Sequence, residues 1–257
     1  RVSTAADGTT MLTWVSNESN EHVGTAADPN DLHYAIHDDL GWSEVGDVAL
    51  EVPSVVKSAM AYNGTEAMLL YIDDADDNLE TLEDRELYSI WFDGVDWDEP
   101  IRRTIDDVEG ANPQIAYDSQ MGTWLIMWYR EGDIWFTTDP DAWSDAEAVV
   151  EYEGESTGVA DFELATGATG QMAVIWQEPS EDIVDFWYSV FDPVMVAWSK
   201  PQRLTADDEG KEDGPPTNEY AASAIFDASG DLIVAYNKVQ TAYETREVVV
   251  GGETIVI

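Results

Sequence analysis

A phrase that returns five times constrains this chain of 257 residues more than anything else in it. A plain strand rich in small residues leads into a turn, then a dense apolar strand, then an aromatic strand. The apolar runs are Met11–Val15, Met68–Ile72, Trp124–Tyr129, Met172–Trp176 and Leu232–Tyr236. Turn residues stand before each of them: Asp7-Gly8, Asn63-Gly64, Asp118 with Gly122, Gly167 with Gly170, and Asp227 with Gly230. Glycine and asparagine reach positive φ at little cost, so these positions read as hairpin turns. Upstream lie Ser3–Ala6, Ser58–Tyr62, Gln114–Tyr117, Phe162–Ala165 and Ala222–Phe226. A period of this size signals a solenoid, a propeller or an array.

A third strand follows in four units, as Leu32–Ile36, Leu87–Trp91, Ile134–Thr137 and Phe186–Val190. An acidic turn and a tryptophan then close the unit: Asp38 with Trp42, Asp93 with Trp97, Asp139 with Trp143, and Asp192 with Trp198. The first three closings have the spacing D-x-x-x-W, and the fourth is two residues longer. The fifth unit offers a hairpin at Val248–Val256 instead.

Four antiparallel strands per unit make the blade of a β-propeller, and the fold class read here is all-β. A blade packs on both faces against its neighbours, so its middle strands should be apolar throughout rather than alternating. The inner position around a central channel is crowded and suits the Ala- and Ser-rich first strand. The closing tryptophan can fill the wider gap where blades diverge. The repeats divide the chain at about 1–52, 53–108, 109–156, 157–214 and 215–257. They form either a five-bladed ring or part of a six- or seven-bladed one. The chain starts at Arg1 and stops after a strand, so it reads as processed or as a piece of a longer polypeptide.

The repeat resembles the sialidase-like propeller blade, whose Asp-box motif runs roughly S-x-D-x-G-x-x-W at the turn between third and fourth strands. Ile36-His37-Asp38 through Trp42-Ser43 and Thr137-Thr138-Asp139 through Trp143-Ser144 carry the likeness. In both, the spacing from Asp to Trp is one residue short and no glycine stands at the motif's central position. The resemblance implies a fold; propellers host many unrelated functions.

Charge is the second constraint. Asp and Glu number 54 against 11 Lys and Arg, a formal net charge of −43. Self-repulsion of this size opposes compaction at low ionic strength. Acid-rich, lysine-poor and cysteine-free composition fits strong salt, or the calcium-loaded repeats of large exported proteins. Apolar residues make up 44%, with 11 Trp, which argues for a packed core against disorder. Phosphate backbones would repel this surface, so nucleic acid is excluded as a partner. No apolar run approaches the roughly 20 residues that span a bilayer, so membrane insertion is not expected. The absence of cysteine removes disulfides and thiolate chemistry. The setting expected is extracellular or on the cell surface.

Catalytic constellations are sparse. His22, His33 and His37 all fall in the first unit. His33 and His37 lie about 13 Å apart along a strand, too far to share a zinc. They read as packing or surface residues, and no serine is nominated for a Ser-His-Asp triad. Sialidase chemistry needs arginines clustered at the channel mouth. Apart from Arg1, none of Arg85, Arg102, Arg103, Arg130, Arg203 and Arg246 falls on an inner strand, so that activity is not expected. Propellers of the arabinanase and invertase type place carboxylates where inner strands start. Asp161 and Glu219 occupy such places here, with Asp31 a more distant third. Glycoside hydrolysis needs its two carboxyls about 5.5 Å or 6.5–9.5 Å apart.

Metal binding points to Asp73, Asp74, Asp76 and Asp77, in the long loop after the second strand of the second unit. Calcium takes six to eight oxygens from such groups, and it is the one cofactor the chain suggests. Asn17-Glu18-Ser19 and Asn63-Gly64-Thr65 match the glycosylation sequon, the second being better explained as a turn. The function expected is a non-catalytic binding or scaffolding module of a larger protein. Its ligand, carbohydrate or protein, would sit on the channel face beside further domains of the polypeptide. The alternative is a propeller glycoside hydrolase using Asp161 and Glu219.

Overall fold

The computed structural model describes residues 1–19, 23–74, 78, 81, 84–104, 110–130, 132–149, 161–167, 169–180, 183–205, 217–240, 247–250 and 253–256. Among the described residues the regular structure is all-β, with one 3-10 turn at Trp143–Asp145. The first blade runs β1 (Val2–Thr4), β2 (Thr10–Ser16), β3 (Asn30–Asp38), β4 (Gly41–Trp42) and β5 (Gly46–Val52). The second is β6 (Lys57–Tyr62), β7 (Ala67–Asp74), β8 (Arg85–Phe92) and β9 (Ile101–Arg102). The third is β10 (Gly110–Asp118), β11 (Thr123–Arg130), β12 (Asp133–Thr137) and β13 (Glu147–Ala148). The fourth is β14 (Phe162–Thr166), β15 (Met172–Ser180), β16 (Ile183–Asp192), β17 (Ala197–Trp198) and β18 (Gln202–Arg203). Then come β19 (Thr217–Phe226) and β20 (Leu232–Gln240), followed by the hairpin β21 (Glu247–Val250) and β22 (Glu253–Val256).

Within each blade the strands pair antiparallel, and β5 and β18 return to pair with the third strands β3 and β16; the second and third blades are four-stranded sheets in the orders β6-β7-β8-β9 and β10-β11-β12-β13. This is the propeller blade. In three blades the outer strand is shorter than the repeat suggests: β9 and β13 have two residues each and the fourth blade has two pieces of two residues, whereas the first blade pairs the two-residue β4 and the seven-residue β5 with β3. One parallel bridge, Val184↔Asn218, also joins β16 to β19.

Alternation along the middle strands explains why they are apolar throughout. On β7, Ala67, Leu69 and Tyr71 face the first blade, packing with Met11, Leu32 and Val48. The intervening Met68, Leu70 and Ile72 face the third blade, against Trp124, Ile126 and Trp128. The pattern repeats between the third and fourth blades, where Leu125, Met127 and Phe136 meet Met172, Val174 and Trp176. Ala173, Ile175 and Phe186 then meet Phe226, Leu232 and Val234. Each fully buried side chain of this size contributes roughly 1.5–3 kcal/mol. The closing tryptophans behave as the pattern predicts in three blades. Trp97 packs edge-on against Tyr34 of the first blade, and Trp198 against Phe136 of the third. Trp143 lies against Trp128 and under the Arg103 guanidinium. Trp42 remains 55% exposed.

The inner strands converge. β1 touches β6, β6 touches β10, β10 touches β14, and β14 touches β19. The lower ends of the first four line one cavity of about 420 Å³, through Ala5, Tyr62, Tyr117 and Thr166 among others. The turns there are closed by aspartate: Asp118 Oδ1 accepts the amides of Gln120 and Met121 at 2.8 and 3.3 Å. Gly170 sits at φ 79° with its absent Cβ only 2.7 Å from that same Oδ1, so a side chain would push the two turns apart. The acidic turns of the repeat work alike. Asp93 Oδ1 accepts from Val95 and Asp96, and Asp192 Oδ1 from Val194 and Met195. The motif aspartate is thus a turn cap.

Candidate functional site

The upper mouth, where inner strands begin, gathers the polar groups that the core leaves over. Asp161 stands directly before β14, exposed, and its Oδ1 accepts from Asn112 Nδ2 at 2.7 Å and from the amide of Phe162 at 3.0 Å. Asn112 reaches it from the neighbouring blade. It occupies a bulge between Ala111 and Gln114 at φ 52°, a conformation asparagine tolerates better than most residues. The same amide group donates to the Phe162 carbonyl at 2.8 Å, and Gln114 donates to Asn112 Oδ1 at 3.3 Å. Three partners therefore fix Asn112, and Asn112 fixes Asp161.

Two residues on, Glu163 points to the same side of the strand. Burial pushes its carboxyl above the ordinary range, and the Asp161 charge adds to that; Lys57 opposes both. Lys57, the first residue of β6, is pushed down by burial while Asp161 and Glu163 hold it up. The mouth thus joins a hydrogen-bonded carboxylate, a second carboxyl whose charge is disfavoured, the half-buried Lys57 ammonium, the positive charge of Arg1 and an amide. Beside Lys57 opens a cavity of about 480 Å³ lined by Thr13, Trp14, Leu32, Val55 and Ser58 among others. A smaller recess beside Asp161 and Glu163 reaches Gln177, Phe186 and Ala222.

Because Glu163 resists ionisation in the folded chain, its charge opposes folding at pH values above the ordinary 4.5. Glu163→Gln is therefore expected to melt above the parent at pH 7. The difference should close as the pH falls below 4.5, where folded and unfolded chains both hold the proton. Equal melting temperatures at pH 7 would contradict the burial assigned to Glu163.

Of the residues singled out in the sequence, Asp161 lies at the mouth. Glu219 is the third residue of β19, where its main chain pairs with Lys238; its side chain falls outside the described residues. Asp31 lies on the third strand, where it accepts the amide of Glu51 at 3.0 Å. Asp73 and Asp74 end β7 and are both engaged within the fold. Asp73 accepts from the amide and hydroxyl of Ser54 at 3.0 and 3.2 Å, and burial pushes its carboxyl up. Asp74 is fully buried and meets Arg85 at 3.3 Å. Asp76 and Asp77 lie outside the described residues, and a calcium site there would have to draw on them. Among the described residues no group of three or more His, Asp or Glu is placed to hold a metal.

Sequence reasoning passed over Lys57, Asn112 and Glu163. It also passed over a second repeated device. Pro100-Ile101-Arg102-Arg103-Thr104 and Pro201-Gln202-Arg203-Leu204-Thr205 share the pattern P-x-R-x-T. In the second blade Arg102 and Thr104 both hold the buried Glu86, and Thr104 accepts the Leu87 amide at 2.9 Å. In the fourth, Arg203 holds Asp185 at 2.6 Å and Thr205 accepts the Phe186 amide at 2.9 Å. Each device latches the outer strand to the third.

No family model matches the chain, and no curated protein does either. Solved structures similar to it include an exo-β-1,3-galactanase from Phanerochaete chrysosporium, 10% identical with a TM-score of 0.45, matched over 79% of this chain and 50% of that one. A sialidase from Trypanosoma rangeli is 10% identical at 0.45, over 91% and 42%. A β-fructofuranosidase from Bombyx mori is 14% identical at 0.46, over 99% and 61%. The chain spans half the length of the galactanase. The likeness is one of fold, among sialidase-like and glycosidase propellers, and carries nothing about activity.

Proposed function

We propose that this is a ligand-binding propeller module whose upper mouth takes a hydroxyl-rich ligand, a carbohydrate. The observation that carries the reading is the convergence of Asp161, Asn112, Glu163 and Lys57 from three consecutive inner strands beside an open cavity. Acceptors, an amide and the cations of Lys57 and Arg1 match the hydroxyls of a sugar, each of which donates and accepts. Trp14 on the cavity wall offers a ring for stacking. The acid-rich, lysine-poor composition supports work outside the cell.

One observation favours a second reading, glycoside hydrolysis. Burial favours the protonated form of Glu163, the form in which a carboxyl can act as general acid, and Asp161 lies two residues away on the same side of the strand. A panel of soluble polysaccharides tests both, with affinity and release of reducing ends measured together. Binding without release, weakened about tenfold or more in Asp161→Asn, is the expected result. Release abolished by Asp161→Asn or Glu163→Gln would establish the hydrolase. Affinities and release unchanged in Asp161→Asn, Glu163→Gln and Glu219→Gln would remove the mouth as a site.

A further inference from the structure

On the first blade, bordering the mouth cavity through their neighbour Trp14, three side chains form an unbroken hydrogen-bonded line. Ser16 Oγ lies 2.9 Å from His33 Nε2, and His33 Nδ1 lies 2.9 Å from Asp47 Oδ1. The strands impose this line. Ser16 ends β2, His33 lies on β3 two positions beyond the Asp31 that pairs with Ser16, and Asp47 pairs with His33 from β5. Pair registers rather than a flexible loop thus bring them together.

The direction of each bond follows from chemistry. An ionised carboxylate only accepts, so His33 Nδ1 carries the proton that goes to Asp47. In a neutral imidazole the other nitrogen then holds a free lone pair, and the Ser16 hydroxyl must donate to it. That is the arrangement in which an imidazole withdraws the proton of an attacking hydroxyl. Ser16 is exposed, and the His33 side chain is 19% exposed, so the hydroxyl is reachable while the base is held. The Trp14 ring lies 5.6 Å from the imidazole and forms an apolar flank.

We propose that Ser16 is a histidine-activated nucleophile toward activated acyl compounds carrying an apolar or aromatic group. Ser16 Oγ bonds to the carbonyl carbon as its proton passes to His33 Nε2. The bond from that carbon to the leaving oxygen breaks, and the leaving oxygen takes the proton from His33. The product is an acyl ester on Ser16 and a free alcohol or phenol. Water then attacks the ester by the same route and restores the hydroxyl. The amides of Glu18 and Ser19, next along the chain, are both occupied by the Asp28 carboxylate. Acylation is therefore driven by His33 without those donors, and slow covalent capture is the suitable readout.

A fluorophosphonate probe with an aryl group, and p-nitrophenyl acetate as the acyl donor, test this on the intact chain. Peptide mapping should place the phosphonyl group on Ser16. Labelling should vanish in Ser16→Ala, fall about a hundredfold in His33→Ala, and fall substantially in Asp47→Asn, where the asparagine can present the wrong hydrogen-bond partner to the ring. A stoichiometric burst of p-nitrophenol should follow the same order. Unchanged melting temperatures would show that the variants fold. His33→Gln supplies a second variant of similar polarity should His33→Ala not fold. No labelling, labelling at other residues only, or labelling of Ser16 that ignores both His33 variants would overturn the proposal.

Discussion

The melting temperature should rise by about 10 °C or more between 0.1 and 3 M sodium chloride, the largest effect expected of any change of condition. Repulsion among the 54 acidic residues, offset by only 11 basic ones, opposes the compact state. Screening acts over a Debye length of about 10 Å at 0.1 M salt and about 3 Å at 1 M. A chain of this size shifts by roughly 2–4 °C per kcal/mol, so relief of a few kcal/mol gives the stated rise. The buried ion pairs should survive the salt. Asp185 and Arg203 meet at 2.6 Å with side chains 10% and 26% exposed, and ions in solution screen such a pair less than surface charges. A flat profile across the series would mean that the negative surface is already neutralised, for instance by tightly held cations.

The closing tryptophans provide the largest mutational contrast. Trp97→Ala and Trp198→Ala should each cost about 3 kcal/mol, because each leaves a hole where two blades meet. Trp97 stands between Tyr34 and Phe92, and Trp198 between Phe136 and Phe191, with ring centroids 5.1–5.8 Å apart. Trp42 holds the same place in the repeat, yet among the described residues its one ring contact is with His37 of its own blade, and it is 55% exposed. Trp42→Ala should therefore change stability by no more than about 0.5 kcal/mol. Urea titration of the three variants checks both statements. Equal losses at all three positions would deny that the tryptophans work by bridging blades.

Much of this architecture was legible because it follows from local chemistry. Asp7, Asn63, Asp118 and Asp227 announce turns and do cap them, through bonds such as Asn63 Oδ1 to the amides of Thr65 and Glu66 at 2.9 and 2.7 Å. The unbroken apolar runs announced strands buried on both faces, and β7 and β11 are buried in that way. The outer strands were harder to read. Ile101–Arg102 and Glu147–Ala148 are too short to carry a periodic pattern, and pairing alone makes them strands.

The upper mouth was half legible. Asp161 could be found because a carboxylate before an inner strand faces the channel by topology. Glu163 was hidden by its place inside a strand, where an isolated acid reads as a solvated face. Asn112 was hidden more deeply, since its role comes from a bulge at φ 52° and from a partner 49 residues away. Ser16, His33 and Asp47 met the same obstacle. Their spacing in sequence has no motif, and only the register of β2, β3 and β5 puts them in line.

Whether the blades stand around a common axis can be measured directly, because the chain has no cysteine to interfere with labelling. Spin labels at Ala6, Ser119 and Thr166, all lining the lower cavity of about 420 Å³, report on the first, third and fourth blades. Electron–electron distance measurements should find the Ala6–Thr166 separation within a few ångströms of Ala6–Ser119. Sheets stacked in a line at about 10 Å spacing would instead put Ala6–Ser119 near 20 Å and Ala6–Thr166 near 30 Å. Separations that grow in this way with blade number would contradict the propeller.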